Sequence, residues 1–535
     1  MRHWFWILLI TLGLQAQEAR IQILGTTDMH GHVLAEDTFS LQAANQGWAK
    51  VTTLIRRQQA LNPNTILVDC GDTIQGEPVN YVRNALRRDL PEPSVAIMNA
   101  LGFSAMAVGN HDYDFGLPVL REVEKQAKFP FLSANTVDAK GRPGFQSHAL
   151  VTVAGVRVAL VGFTTPGVPA MTEPANFAGL AFQDIVATAR RLVPYLRDKE
   201  KADVVIVLMH SGLGALQGAE GDENAALRLA DQVPGLDAIF TGHTHQALQT
   251  GHKGVPIVQA GCFGRALAVV DLDLRQEKGR WRVVASAGRI MKPDDQTPTD
   301  PDVLSLTAEL RAATDRYLDT AATNLLVDLD SRWSRMEDTP LMQLIHQVQR
   351  QATGAQLSAA ASPGPRLFIP KGPTSVRQFY ALAPFESQVA RIRITGDQLK
   401  RYLEHGARHY VLSWQPELYN REVPFYNYDM VDGVSYALDL GKPVGSRVRN
   451  LSYQGQPVKP DQVFTLALST YRLRGGGGYM DAIRFTGAPD LITPASQRNL
   501  LLEHVLGRPT LNPVPTNTWR TIPFLDRERV LSLAG

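Results

Sequence analysis

The sequence predicts an α/β protein of two domains, a layered α/β unit followed by an α+β unit, and three observations carry that expectation. A chain of 535 residues is too long for a single core. Between Arg20 and about Arg289, short β-branched runs alternate with helix-like stretches. A proline- and aspartate-rich segment, Lys292 to Pro301, then interrupts the pattern before new helices and strands begin. With 44% hydrophobic and 20% charged residues, the composition is that of a folded globular chain.

Residues 1–17 have the order of a secretory signal peptide: Arg2 and His3, the apolar run Trp4 to Leu14, then Gln15-Ala16-Gln17. The run is too short to cross a bilayer comfortably, and no cysteine follows it to carry a lipid. The expectation is a periplasmic or secreted protein with no stable membrane anchor. Residues 18–291 form the first domain, whose strands are IQIL, TILVD, AMAV, VRVALVGF, DVVIVLM, DAIF and PIVQA. Gln183 to Lys201 is one of its helices.

Residues 292–326 are a linker with a helix. Asp300 suits its cap and Pro301 its first turn, and Val303, Leu306, Leu310, Ala313 and Tyr317 recur on one face. Residues 327–522 form the second domain, with helices at Pro340 to Thr353 and Gly396 to His405 and strands VARIRIT, VSYALDL and VFTLALST. Cys70 and Cys262 read as two buried free thiols, although an oxidising compartment would allow them to pair. The net charge of +2, from 54 basic and 52 acidic residues, gives no polyanion-binding field and argues against a nucleic-acid polymer as partner.

Five segments of the first domain share one layout: an apolar run ends, and metal-ligand types follow within a few residues. They are ILGTTDMHGH (Asp28, His30), ILVDCGDTIQG (Asp72), MAVGNHDYDFG (Asn110, His111, Asp114), VVIVLMHSG (His210) and IFTGHTHQ (His243, His245). Singly each has a bland reading: a turn with a solvated histidine, a tight GNHD turn, a satisfied core histidine. Together they hold six of the 13 histidines, in an order that fits one site beyond the carboxyl ends of the strands.

The residue types suit phosphate-ester hydrolysis, which needs charge for phosphoryl oxygens and a nucleophile at neutral pH. Two divalent ions roughly 3.5–4 Å apart bind the oxygens and acidify a bridging water. A shared carboxylate helps to hold cations so close, and Asp72 is the candidate. Imidazoles and an amide complete a mixed N/O donor set that suits zinc, manganese or iron alike.

In that order the five segments resemble the calcineurin-like metallophosphoesterase signature, in its 5′-nucleotidase and 2′,3′-cyclic-nucleotide phosphodiesterase branch. The resemblance extends over nearly all of the chain after the leader. It implies a four-layer β-sandwich flanked by helices, a linker helix, and a C-terminal nucleotide-binding domain acting on a small nucleotide. By the same resemblance, Asp28, His30 and His245 hold one metal, and Asn110, His210 and His243 the other, with Asp72 shared. His111 faces the phosphate and leaving oxygen, oriented by Asp114, whose three-residue separation suits that dyad.

In the second domain, FYNYDMVDG and STYRLRGGGGYM stand out. Alone they read as core aromatics beside a flexible loop. The resemblance matches Tyr428 and Tyr471 to the two rings that clamp the nucleoside base, and Arg366 to a substrate-binding arginine. Two departures affect substrate contacts: Pro-Gly-Pro-Arg replaces the family's Gly-Gly-x-Arg, and Ser387 in PFES replaces its usual Asn.

Within the branch, TTDMHGH, GDTIQGEP, HSGLG and YDMVDG are most similar to 2′,3′-cyclic-nucleotide 2′-phosphodiesterase/3′-nucleotidases. GNHDYDFG is more similar to 5′-nucleotidases and nucleotide-sugar hydrolases, and a sulfur-oxidation hydrolase on the same scaffold is a distant third. An inactive nucleoside-binding protein would show lost metal ligands, and all seven are present.

Overall fold

The computed structural model describes residues 17–383, 387–412 and 417–523. The leader through residue 16 and residues 384–386 of PFES lie outside the described residues.

Two six-stranded sheets form the middle of the first domain. In one, Glu18–Thr26, Thr65–Asp69, Ala105–Ala107 and Phe131–Leu132 run parallel, and Leu267–Glu277 and Arg280–Met291 extend it antiparallel. In the other, Val156–Thr164, Val204–His210, Ala238–Thr241 and Val255–Ala260 run parallel between the antiparallel edges His148–Val153 and Ala247–His252. Val204–His210 is buried at every position, as a parallel strand covered on both faces must be.

The sheets meet through Ile21, Ile23, Val68, Ile206, Leu208 and Phe240. Their close approach depends on Gly25, where a Cβ would stand 2.4 Å from the Phe240 ring. Helices Trp48–Leu61 and Pro93–Leu101 cover one outer face, and Ile185–Asp198 and Ala226–Gln232 the other. The domain is therefore the expected four layers, helix, sheet, sheet, helix.

The linker helix starts where expected: the Asp300 side chain accepts the amides of Asp302 and Val303. It is two helices rather than one, Pro301–Leu306 and Ala308–Leu318. The break falls at Thr307, whose hydroxyl bonds back to the Val303 carbonyl at 2.8 Å. Val303, Leu310 and Ala313 are buried as expected, whereas Leu306, just before the break, is exposed.

The following strand, Ala321–Leu325, pairs with Gly372–Ser375 and Thr510–Leu511 of the second unit. That unit is built on a five-stranded sheet in the order Asp429–Asp432, Leu357–Ala361, Val463–Ser469, Gln388–Thr395, Leu491–Ser496. Helices Pro340–Thr353 and Gly396–Gly406 pack on it, started by Thr339 and by a Thr395–Gln398 capping box.

The units touch through arginines. The Arg498 guanidinium lies 4.4 Å from the ring centres of both Tyr81 and Tyr380. Arg377 donates to the Thr38 carbonyl and pairs with Asp319, and Arg474 pairs with Glu173. Among the described residues no helix is long and apolar enough to cross a membrane. Cys70 and Cys262 are free and buried, in line with the expectation of unpaired thiols.

Candidate metal centre

Five strands of the two sheets end at one rim, and the residues that follow them leave ordinary backbone geometry. Asp28, His30, Asp72, His243 and His245 all adopt left-handed φ, between 46° and 73°. Such turns re-aim a side chain sharply after a strand, so each points its polar group back over the rim.

The side chains converge. Ligand atoms of Asp28, His30 and His245 lie within 4.8 Å of one another, and so do those of Asp28, Asp72 and His210. His210 Nε2 is 3.1 Å from Asp72 Oδ2 and 3.0 Å from Asn110 Oδ1. His30 Nε2 is 3.7 Å from the same Asp72 oxygen and 3.1 Å from His245 Nε2. Asp72 thus faces both histidine groups, and Asp28 is common to both clusters. Imidazole nitrogens converging on two buried carboxylates form a donor set that fits a pair of divalent cations.

The backbone fixes which nitrogen faces inward. His30 Nδ1 is 2.7 Å from the Gln75 carbonyl and His210 Nδ1 is 2.7 Å from the Cys70 carbonyl. A carbonyl only accepts, so each Nδ1 donates and each Nε2 is the atom turned to the rim. Burial holds His30 down at about 4, which keeps it unprotonated at neutral pH. Burial would also raise Asp28 and Asp72, but His245 and His210 hold the first below the carboxylate range, and His210 and His111 the second.

Two buried carboxylates support the Asp72 loop from behind. Asp112 accepts the amides of Thr73 and Ile74 on Oδ1 and those of Asp72 and Gly109 on Oδ2, at 2.8–3.1 Å. Asp69 accepts the Thr26 and Thr73 hydroxyls and the Gly71 amide. Neither has a sequence signal apart from its neighbours, since each sits beside a more conspicuous residue.

His111 and Asp114 meet as expected, Nδ1 to Oδ2 at 2.7 Å. Burial alone would lower His111, but Asp114 and Asp72 raise it to about 9. Asp114 is held in turn by the Thr172 hydroxyl at 2.8 Å and, on its carbonyl, by the Asn176 amide at 2.9 Å.

His243 differs from the other histidines. Its Nε2 goes to Glu223 Oε1 at 2.5 Å, which leaves Nδ1 as its free ligand atom, and its amide donates to Asp28. Glu223 gave no sequence signal: it stands 20 residues from His243 on an ordinary polar loop.

The second domain brings a correction. Tyr428 is 1% exposed and stacks on His409, ring centres 5.1 Å apart, inside the domain core. It has no open face for a base. The reason is its position immediately before the strand Asp429–Asp432, where the chain turns it into the sheet's packed side. Tyr426, two residues earlier in the one-turn helix Phe425–Asn427, is 52% exposed.

Tyr471 is partly buried, and the glycine run explains its setting: a Cβ on Gly476 would stand 2.5 Å from ring atoms of Tyr471. The Tyr471 hydroxyl is raised mainly by burial, with Tyr426 and Glu223 near enough to add to the shift against the opposing Arg472. Arg472 ties these parts together. Its guanidinium donates to both Asp429 oxygens, Asn427 Oδ1 and the carbonyls of Tyr426 and Gly476. Arg366 is exposed on the loop between Leu357–Ala361 and Phe368–Ile369.

Comparison with known proteins agrees with this architecture. Residues 21–247 match the calcineurin-like phosphoesterase family and residues 318–483 the 5′-nucleotidase C-terminal domain. The 2′,3′-cyclic-nucleotide 2′-phosphodiesterase/3′-nucleotidase of Haemophilus influenzae is 28% identical, over 95% of this chain and 88% of its own. The trifunctional nucleotide phosphoesterase protein YfkN of Bacillus subtilis is 28% identical over 95% of this chain, which spans only 39% of that longer protein. The crystal structure of calcineurin-like phosphoesterase YfkN from the same organism is 30% identical, with TM-score 0.54, covering 56% of this chain and 99% of that one. A 5′-nucleotidase precursor from Thermus thermophilus shares the fold across both domains, with TM-score 0.67 and 24% identity over 94% of this chain and 99% of that one. The chain belongs to the calcineurin-like phosphoesterase family, in the form that carries a 5′-nucleotidase C-terminal domain.

Proposed function

We propose that this protein is an exported two-metal nucleotide phosphohydrolase acting as a 2′,3′-cyclic-nucleotide 2′-phosphodiesterase and 3′-nucleotidase. The observation that carries the reading is a juxtaposition. The Arg474–Glu173 pair sets the turn that carries Tyr471 against the segment that holds Asp114, so the two domains meet beside the rim of metal-ligand side chains.

Asp28, His30 and His245 would hold one divalent cation and Asn110, His210 and His243 the other, with Asp72 between them. Bound there, zinc, manganese or iron supplies charge for phosphoryl oxygens and acidity for a water nucleophile. The chain's own groups do the rest. Asp114 engages His111 Nδ1, so Nε2 is the atom turned toward substrate. With Nδ1 held by Asp114, a protonated His111 would present its Nε2 proton to charge on phosphate and pass it to the leaving ribose oxygen. Tyr471 and Tyr426, rather than Tyr428, stack the base. The apolar leader directs the protein to the periplasm or medium.

One observation favours a second reading, 5′-nucleotidase and UDP-sugar hydrolase: the GNHDYDFG segment. A panel of 2′,3′-cyclic AMP, 3′-AMP, 5′-AMP and UDP-glucose, each assayed with zinc, manganese and iron, separates the two. The proposal expects the first two to be preferred. Preference for 5′-AMP or UDP-glucose selects the second reading, and no hydrolysis with any metal rejects both.

A further inference from the structure

One ion pair between the domains sits where neither the metal cluster nor the aromatic rings account for it. Arg474 donates to Glu173, and both side chains are largely buried, 13% and 19% exposed. On the first domain, Glu173 directly follows Thr172, whose hydroxyl holds Asp114 Oδ1, and lies three residues before Asn176, whose amide holds the Asp114 carbonyl. The Glu173 segment is therefore the support of the carboxylate that orients His111.

On the second domain, Arg474 caps the short helix Thr470–Leu473, which carries Tyr471 and Arg472. Arg472 reaches Asp429, Asn427, the Tyr426 carbonyl and the Gly476 carbonyl. The turn bearing Arg474 thereby carries Tyr471 and is tied to the backbone of Tyr426. A continuous series of contacts runs from the two rings, through Arg472, Arg474 and Glu173, to Thr172 and Asn176, and from these to Asp114 and His111.

We infer that Arg474 and Glu173 are positioning residues that couple seating of the base on the second domain to alignment of the His111–Asp114 dyad on the first. A nucleotide whose base occupies the rings holds the Thr470–Leu473 turn in place. The ion pair then holds the Thr172–Asn176 segment, and His111 is presented to the leaving oxygen. A substrate without a base leaves the turn free and gains nothing from the pair. The pair thus makes the nucleoside improve turnover as well as binding. A plain interdomain brace, by contrast, acts on every substrate alike.

The inference rests on the nucleotide reading above, and its test separates the two. Glu173→Gln, Arg474→Gln, Arg474→Lys and the exchange Glu173→Arg/Arg474→Glu are compared with wild type in the metal-loaded full chain, on 3′-AMP and on p-nitrophenyl phosphate. The neutral variants should lower kcat on 3′-AMP about 5- to 20-fold and change it less than about 2-fold on the base-free ester, a site-to-site coupling of ordinary size. Metal content, read by mass spectrometry, should not change. Arg474→Lys and the exchange should each recover most of the loss. Equal losses on both substrates, no loss on either, or an exchange that restores nothing overturns the coupling and leaves the nucleotidase reading standing. Wild-type protein with no higher kcat/KM on 3′-AMP than on the ester overturns both.

Discussion

Replacing Asp112 by Asn changes one oxygen to an NH2 group and leaves the shape of the side chain intact. In the native loop each carboxylate oxygen accepts two backbone amides: Thr73 and Ile74 on one side, Asp72 and Gly109 on the other. The amide oxygen of Asn satisfies one pair, and its NH2 confronts the other pair with a donor. Two buried N–H groups then lose their acceptor. At about 1–3 kcal/mol for each unsatisfied buried donor, the cost is about 2–6 kcal/mol. For a domain of this size that lowers the melting temperature by at least about 4 °C.

Either orientation of the amide disturbs the same loop, because Asp72, Thr73 and Ile74 are consecutive. The damage therefore also reaches the carboxylate that faces both histidine groups. Thermal unfolding of the metal-free protein measures the first effect, and calorimetric titration with manganese or zinc the second. Asp112→Asn should melt earlier and bind metal more weakly. A variant that melts within about 1 °C of wild type and titrates normally would refute the reasoning, since the loss of two buried bonds is too large to hide.

Five further outcomes are expected. Glu223→Ala frees His243 Nε2 and should weaken metal binding at one of the two positions about 10- to 100-fold in a chelator competition, while the other position is unaffected. Tyr426→Ala should raise KM for 3′-AMP about 5- to 150-fold with little change on p-nitrophenyl phosphate. Tyr428→Ala should instead destabilise the second domain by about 3–5 kcal/mol in urea unfolding and treat both substrates alike. Asp184 accepts the Ala187 and Gly221 amides and pairs with Arg228, which together outweigh its burial and hold it below the ordinary carboxylate range. Its contribution to stability is present above an unfolded pKa of about 3.9 and is lost as pH falls through the lower folded value, so the melting difference between wild type and Asp184→Asn should shrink on acidification from pH 7 to pH 3. Cell fractionation with N-terminal sequencing should find a chain beginning near Gln17 outside the cytoplasm; an intact Met1 on a cytoplasmic protein would contradict export.

How much of this was legible depended on how locally each feature is encoded. The layered first domain shows in the sequence because parallel strands buried on both faces need unbroken apolar runs, and Val204–His210 is one. The rim shows because Asp28, Asp72, Asn110, His210 and His243 each follow such a run within a few residues. Glu223 does not show, because its partner His243 is brought to it only by the packing of two loops. In FYNYD the tyrosines stand two apart, so strand alternation gives them the same face. A one-turn helix at Phe425–Asn427 breaks that alternation, leaving Tyr426 outside and Tyr428 in the core. Thr307 likewise divides a helix whose spacing reads as continuous, through one hydroxyl turned onto its own backbone.

The left-handed residues of the rim bear on how activity is lost in descendants of such a chain. Aspartate, asparagine and histidine are the non-glycine residues that best tolerate positive φ, and they are also metal ligands. At Asp28, His30, Asp72, His243 and His245, drift to a β-branched residue meets a steric penalty whether or not a cation binds. A lineage released from selection for hydrolysis would therefore keep ligand-type residues at these places for the sake of its turns. Asn110, at φ −75°, and His210, within a regular strand, have no such protection. Those two positions are where a silent copy should first betray itself, and the ones to inspect when judging whether a relative still turns over substrate.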